Sequence, residues 1–467
     1  MAAQIDPARW IPTLGLGGLA AVLGLLAGID PMLAIAASVG LAFLLLTVAD
    51  LTVGLTIFTA VSFLELTSVS SGVGLAKVIG LALALSWLAT VATRGGRERF
   101  VWATHPAFVT FVFGFVAWST ASLIWAEDTT KGLEQLQSCV LVALLVPIVY
   151  TGVTSARDVK AVTGAFVVGS TIAAVYGLIA TPTISGAQGA VDATQQLNRV
   201  AGTVGDPNVL ASILLVGAVL AIALAVTQRR SPALRIALVG CAALCLAGVV
   251  LTFSRGGLIA LGTALIVAPL LARNKAATIG AALLVVACIL AYIVALAPAD
   301  ARERLVANDG GSGRTDIWKI GWRMVEDKPL AGIGVGNFQS SSIHYQIRPG
   351  VATERTDLAD NPSVAHNSYL ELLAEGGVVG LGLFLGIVIA ALVAATKATR
   401  TFLRDRRSDL AIISGAVVVS LVSILTSDLF ISEQFSKQLW LLIALCPALH
   451  AIAMKGLESS PVDRRSR

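Results

Sequence analysis

Apolar residues run along this chain in long blocks broken by short polar stretches, and nowhere do they alternate with a period of two. A helix needs roughly 20 apolar residues to cross ~30 Å of hydrocarbon. Fourteen stretches meet that requirement, at about 11–28, 31–49, 51–69, 75–93, 106–125, 136–153, 161–180, 207–226, 236–253, 257–272, 276–296, 376–396, 410–430 and 435–453. The near-continuity of 31–69 leaves room for one re-entrant segment. Only helices and closed barrels satisfy their backbone groups in lipid, and no alternating barrel pattern is present. The pattern predicts an all-α polytopic membrane protein with 12–14 transmembrane helices.

Composition agrees. With 56% hydrophobic and 13% charged residues and a mean hydropathy of +0.84, the chain lies outside the range of soluble globular proteins. Arg9, the apolar run after it and Ala34-Ile35-Ala36 look superficially like a leader peptide. The run 11–27 is already near spanning length and is followed at once by further spans, so it reads as the first transmembrane helix.

The basic residues then set an orientation. Twenty of the 33 lysines and arginines fall on one side: the N-terminus, the Arg94–Arg99 loop, 154–160, 227–235, 273–275, 397–407 and the C-terminal tail. Both termini are therefore expected in the cytoplasm, with 181–206 and 297–375 on the periplasmic or exterior side of the cytoplasmic (inner) membrane. Four regions follow. They are N-terminal transmembrane helices (1–180), transmembrane helices with an outer loop at 181–206 and an outer hairpin at 254–257 (181–296), a long outer loop (297–375), and C-terminal helices with a cytoplasmic tail (376–467).

The long outer loop has structure of its own. Ile317, Ile320, Gly321 and Met324 recur at helical spacing, with Trp318 and Trp322 beside them and Pro329 closing the run. This predicts an amphipathic helix in the headgroup layer, with Arg314 at its start, where a helix favours an anion. Asp206-Pro207 is a helix-start signal; it places Arg199 on the outer surface. The Ser254-Arg255-Gly256-Gly257 turn places Arg255 at the outer boundary.

Gly332-Ile333-Gly334-Val335-Gly336 has no preceding strand and no following Lys-Ser/Thr pair, so it reads as turn glycines and not a nucleotide loop. Gly376/Gly380 and Gly382/Gly386 read as close-packing positions. All five cysteines lie in apolar segments, predicting neither a disulfide framework nor a metal site. No cofactor and no nucleic-acid partner are expected.

Glu65, Lys77, Asp428 and Lys437 are the clearest charges within the spans, and all four fall near outer helix ends. Transport sites usually lie at the midplane; this distribution points to an interfacial active site instead. His366 stands just before a span, with Asn367 and Tyr369 able to orient its ring, and imidazole near its ordinary pKa of ~6.5 can accept a hydroxyl proton. His105, His344 and His450 read as ordinary histidines. Three arginine forks, Arg199, Arg255 and Arg314, match the oxygens of a diphosphate. Glu371 and Glu375 follow His366 on the same helix, either as partners of the site or as headgroup-facing charges. Together these residues suit transfer of a glycan from a polyprenyl diphosphate to an acceptor hydroxyl.

His366-Asn367, nine residues, Gly377, Val378-Val379 and Gly380 resemble the signature of the bacterial O-antigen ligase and polymerase superfamily of membrane glycosyltransferases. The upstream "GIGVGNF" and "TFSRGG" stretches resemble it in the same order, and the similarity covers roughly 195–385. The resemblance implies a catalytic role for His366 and diphosphate binding by Arg255, Arg314 and Arg199. Asn367, Tyr369 and Glu371 would support the histidine, and neither metal nor nucleotide sugar would be used. Donor and acceptor would be an undecaprenyl (polyprenyl) diphosphate-linked glycan and a glycolipid or glycan in the bilayer. A ligase acting on a lipid A core sugar is the leading expectation. A polymerase of the same superfamily or a protein-glycosylating relative follows, and a lipid or polysaccharide transporter is the rival from another class.

Overall fold

The computed structural model describes residues 21–22, 24–63, 75–94, 101–179, 200–272, 274–299, 302, 314–347 and 363–458. The helices in order are α1 (Pro31–Ala49), α2 (Leu51–Val61), α3 (Leu75–Arg94), α4 (Val101–Thr104), α5 (Pro106–Ser122), α6 (Thr129–Ala143), α7 (Leu145–Gly152) and α8 (Ala156–Ile179). They continue as α9 (Pro207–Thr227), α10 (Pro232–Leu251), α11 (Arg255–Leu271), α12 (Lys275–Ala295), α13 (Arg314–Asp327), α14 (Phe338–Gln346), α15 (Ser368–Arg404), α16 (Ser408–Ser427) and α17 (Lys437–Glu458). Among the described residues, eight helical stretches are long and apolar enough to cross a membrane, and five shorter apolar helices accompany them. The protein is an all-α, multi-pass membrane protein.

Helix starts follow from local chemistry. The Asp206 carboxylate accepts from the amides of Asn208 (2.6 Å) and Val209 (3.2 Å), with Pro207 at the first helical position. Asp128 caps α6 and Asp50 caps α2 in the same way, each satisfying amides that have no partner within the helix. Helices α9, α16 and α17 form the buried centre, and α15 packs against α5, α13, α16 and α17. Helix α12 has no buried residue and packs mainly on α11, as a lipid-facing helix can.

The structure corrects several predicted spans. Within the span expected at 51–69 the helix ends at Val61, about 16 Å of helix at 1.5 Å per residue, and 64–69 lie outside the described residues. Its end is sealed from far along the chain. Gln438 Nε2 donates to the Ser62 carbonyl at 3.0 Å, and the Thr203 hydroxyl donates to the Phe63 carbonyl. Non-helical backbone is tolerated at such depth only where protein supplies those partners. The span expected at 136–153 starts earlier, at Thr129, and breaks at Leu144. The span expected at 376–396 runs from Ser368 to Arg404, so the helix begins before the 375/376 boundary. Most of the first span, the Arg94–Arg99 loop beyond Arg94, Glu65, the side chain of Lys77, most of 181–206 including Arg199, and the C-terminal tail lie outside the described residues.

Two faces result from the alternation of the helices. One carries the starts of α9, α11, α15 and α17; below it is called the site face. Toward the opposite face, His105 Nε2 pairs with His450 Nδ1 at 2.9 Å, and Thr104 Oγ1 bridges His105 Nδ1 (2.9 Å) and the Tyr150 hydroxyl (2.6 Å). Burial, His450 and the nearby Lys397 lower the pKa of His105 to about 4 from the ordinary 6.5. The unfolded chain takes up this proton below pH ~6.5 while the folded protein resists until about pH 4, so stability is full above the first value and falls toward the second. The thermal midpoint of the detergent-solubilised protein should drop across this window, and His105→Asn should flatten the drop.

Candidate functional site

The site face is built on a break in α15. Gly377 has φ +64° and ψ −169° inside the otherwise helical run, a conformation open essentially to glycine alone. The break frees carbonyls that a continuous helix would use internally. Ile333 N donates to Ala374 O and Gly334 N to Glu375 O, both at 2.9 Å. The indole of Trp118 donates to Gly376 O at 2.8 Å, and Val378 N donates to Pro329 O at 2.9 Å.

Gly332, Gly334 and Gly336 all have positive φ. A side chain at Gly332 would strike the Glu375 carbonyl, so these glycines shape a fixed turn. The acidic group in this turn is the protein's own. Glu375 Oε1 accepts from Phe338 N at 3.0 Å, and the amides of Gly336 and Asn337 also face the carboxylate, where the N-terminus of α14 favours negative charge. Glu375 is 4% exposed, which excludes the headgroup-facing alternative. Asn337 ties the turn to the α5–α6 connection: its Oδ1 accepts from Asp128 N at 2.7 Å and its Nδ2 donates to Asp128 O at 3.2 Å.

Helix α13 is the predicted amphipathic helix. Ile317, Ile320, Gly321 and Met324 are its buried stripe, joined by Asp316 and Val325. It lies on the start of α15, so its apolar face meets protein and not lipid alone. Trp318 Nε1 donates to Ala365 O at 3.0 Å, directly before His366. That histidine has φ +48°, uncommon for a residue other than glycine, and the surrounding contacts hold it there. Glu371 Oε2 accepts from Ala365 N at 3.1 Å. Asn367 Oδ1 accepts from Tyr369 N and Leu370 N, each at 3.0 Å, capping α15. Ser363 Oγ lies 3.4 Å from His366 Nε2. Glu371 is 6% exposed and also accepts from Ser432 Oγ and, at 2.7 Å, from Gln434 Nε2.

A groove of about 630 Å³ opens between α13 and α15. Trp318, Lys319, Trp322 and Arg323 line one side, Asn367 and Tyr369 stand at the histidine end, and Leu370, Leu373 and Leu381 line the rest of the α15 side. Its chemistry grades from cationic and aromatic to apolar, as an amphiphile requires.

Of the sequence-predicted residues, His366, Asn367, Tyr369 and Glu371 share one turn. Arg314 opens α13, one turn before Trp318. Arg255 opens α11 behind the Ser254 cap, whose hydroxyl accepts from Gly257 N and donates to Asn208 Oδ1. Arg255 is linked to the histidine turn through an intermediary: Gly256 packs on Phe430, and Ser368 N donates to the carbonyls of Asp428 (2.8 Å) and Ile431 (2.9 Å) in that same loop. Arg199 lies outside the described residues. The close-packing glycines face α5, Gly380 and Gly376 against Trp118 and Gly386 against Phe111; a Cβ at Gly382 would meet nothing within 4 Å among the described residues. Sequence reasoning missed Trp118, Asn337 and the 428–434 loop. An indole N–H within an apolar run was the available signal for the first.

These features define a multi-pass membrane protein with a groove beside a histidine turn. Residues 240–385 match the family model described as O-antigen ligase. The match covers about a third of the chain, and over that stretch the chain is similar to the O-antigen ligase family. No curated protein matches the chain. The matched stretch contains Arg255, Arg314, His366 and the Gly377 break.

Replacing Gly377 with alanine forces a Cβ against the Leu330 carbonyl and an L-residue into a glycine conformation, at a cost of at least ~2 kcal/mol. Gly377→Ala should lower the thermal midpoint and open the 329–337 turn to proteolysis, whereas Gly382→Ala should do neither.

Proposed function

We propose that this protein transfers a glycan from a polyprenyl diphosphate-linked donor to an acceptor hydroxyl, in the ligase reading a sugar of the lipid A core, on the outer side of the cytoplasmic membrane. One observation carries this reading: the His366 turn, held in a strained conformation at the head of α15, stands at the end of a groove with a cationic rim and an apolar wall. The sorting of basic residues supports the sidedness, with the site face outward and both termini cytoplasmic.

In the proposed step the His366 imidazole takes the proton of the acceptor hydroxyl as that oxygen attacks the anomeric carbon. The bond from that carbon to the diphosphate oxygen breaks, and its electron pair leaves with the diphosphate. Arg255 and Arg314, with Arg199, neutralise the charge that develops there, usually the largest contribution to such catalysis. Planar guanidinium forks suit paired phosphate oxygens better than a point charge does. Asn367 caps the helix behind the base, Tyr369 anchors its next turn through Leu425 O at 2.7 Å, and Glu371 fixes the backbone amide before it. The apolar groove accommodates a lipid chain, and the long outer segment chooses the acceptor.

The test is transfer by purified protein in detergent, with a polyprenyl diphosphate-linked oligosaccharide, candidate acceptors and a chelator. His366→Ala should remain folded and lose at least ~10²-fold in rate. Arg255→Lys should lose at least ~10-fold, because a point charge does not replace the fork. The acceptor consumed distinguishes ligase from polymerase. Full transfer without His366, or passage of the donor lipid across a bilayer with no new glycoconjugate, would refute the assignment.

A further inference from the structure

The segment between α16 and α17 lies beyond the matched stretch, yet it grips the histidine turn from several sides. Ser368 N donates to Asp428 O and Ile431 O, at 2.8 and 2.9 Å. Its hydroxyl donates to Ile431 O and accepts from Glu433 N, both at 2.9 Å. Ser432 Oγ and Gln434 Nε2 donate to the two oxygens of Glu371, and Glu371 in turn holds the amide of Ala365. On its other side the same loop sets Phe430 against Gly256, next to Arg255.

We propose that Ser432 and Gln434 are positioning residues for His366, acting through Glu371, and that the 428–434 loop is the joint fixing His366 relative to Arg255. This rests on the reading of His366 as the base. The geometry favours a positioning role over simple stabilisation. Glu371 is buried, and each of its oxygens is claimed by this loop. The other link of the carboxylate goes to the residue preceding the histidine.

The loop also tolerates costs that a merely stabilising connection would avoid. Among the described residues, both oxygens of Asp428, Ser427 Oγ and Gln434 Oε1 are buried with no hydrogen-bond partner, and such groups are few in folded proteins.

The experiment measures kcat and donor KM for Gln434→Leu, Ser432→Ala, Ser432→Thr and Phe430→Ala, beside the parent and His366→Ala, with thermal midpoints for all. Displacing a catalytic group by about 1 Å costs up to ~10²-fold in rate. Gln434→Leu and Ser432→Ala should therefore lower kcat by ~10-fold or more with donor KM within about twofold. Ser432→Thr, which keeps the hydroxyl, should recover most of the rate. Phe430→Ala, on the Arg255 side, should raise donor KM instead. The inference is overturned if the Gln434 and Ser432 variants are folded and turn over like the parent. It is also overturned if kcat and KM worsen together with the thermal midpoint. If the parent transfers nothing, or His366→Ala transfers normally, the functional reading itself has failed; if only the Gln434 and Ser432 variants match the parent, the joint alone has.

Discussion

The site depends on one interruption of one helix. A continuous α15 would use its own carbonyls at 374–376, and the Gly332–Gly336 turn and the Trp118 indole would lose their partners. Because Gly377 turns the chain aside, those carbonyls instead receive Ile333, Gly334 and Trp118. The Glu375 carboxylate then seats the N-terminus of α14. In an apolar surrounding each unmade bond costs a few kcal/mol, so these partners are mutually required. The break, the glycine turn and α5 therefore act as one unit.

On that unit the histidine turn is held from two sides. Trp318 reaches it from α13, and the loop after α16 reaches it through Ser368 and Glu371. The left-handed conformation of His366 persists because its neighbours fix the backbone before and after it. The backbone on either side of the histidine is thus set by hydrogen bonds, beside a groove suited to an amphiphile. Under the proposed function, it also lets arginines on helices distant in sequence serve one anion. Arg255 and His366 are separated along the chain, yet both are referred to the 428–431 segment.

Much of the fold could be read directly from the residues. The α13 stripe of Ile317, Ile320, Gly321 and Met324 appears as buried positions, because helical periodicity is a local property. Asp206-Pro207 and Ser254 cap helices as their side-chain chemistry dictates. What escaped reading was set by distant partners. The end of α2 at Val61 is met by Thr203 and Gln438, 140 and 376 residues from the carbonyls they bind, which apolar composition alone does not reveal. Glu375 could not be assigned to the glycine turn, since nothing local tells a carboxylate facing lipid headgroups from one facing a helix N-terminus. The 428–434 loop escaped because its polar side chains act only through Glu371 and Ser368. His366 stood out by its place before a span and by its resemblance motif, while its strain and its partners became visible only in three dimensions.

The central claim of the proposed function is that one lipid diphosphate binds at the His366 turn beside α13 and is also held by Arg255. The most direct measurement is photo-crosslinking of the purified protein with a polyprenyl diphosphate carrying a benzophenone near its head, followed by peptide mapping. The account predicts label within 314–323 and 366–381, competed by unlabelled polyprenyl diphosphate and weakened by Arg255→Ala. Label concentrated at the middle of α9, α16 or α17, indifferent to Arg255, would place the lipid at a midplane site and contradict the account.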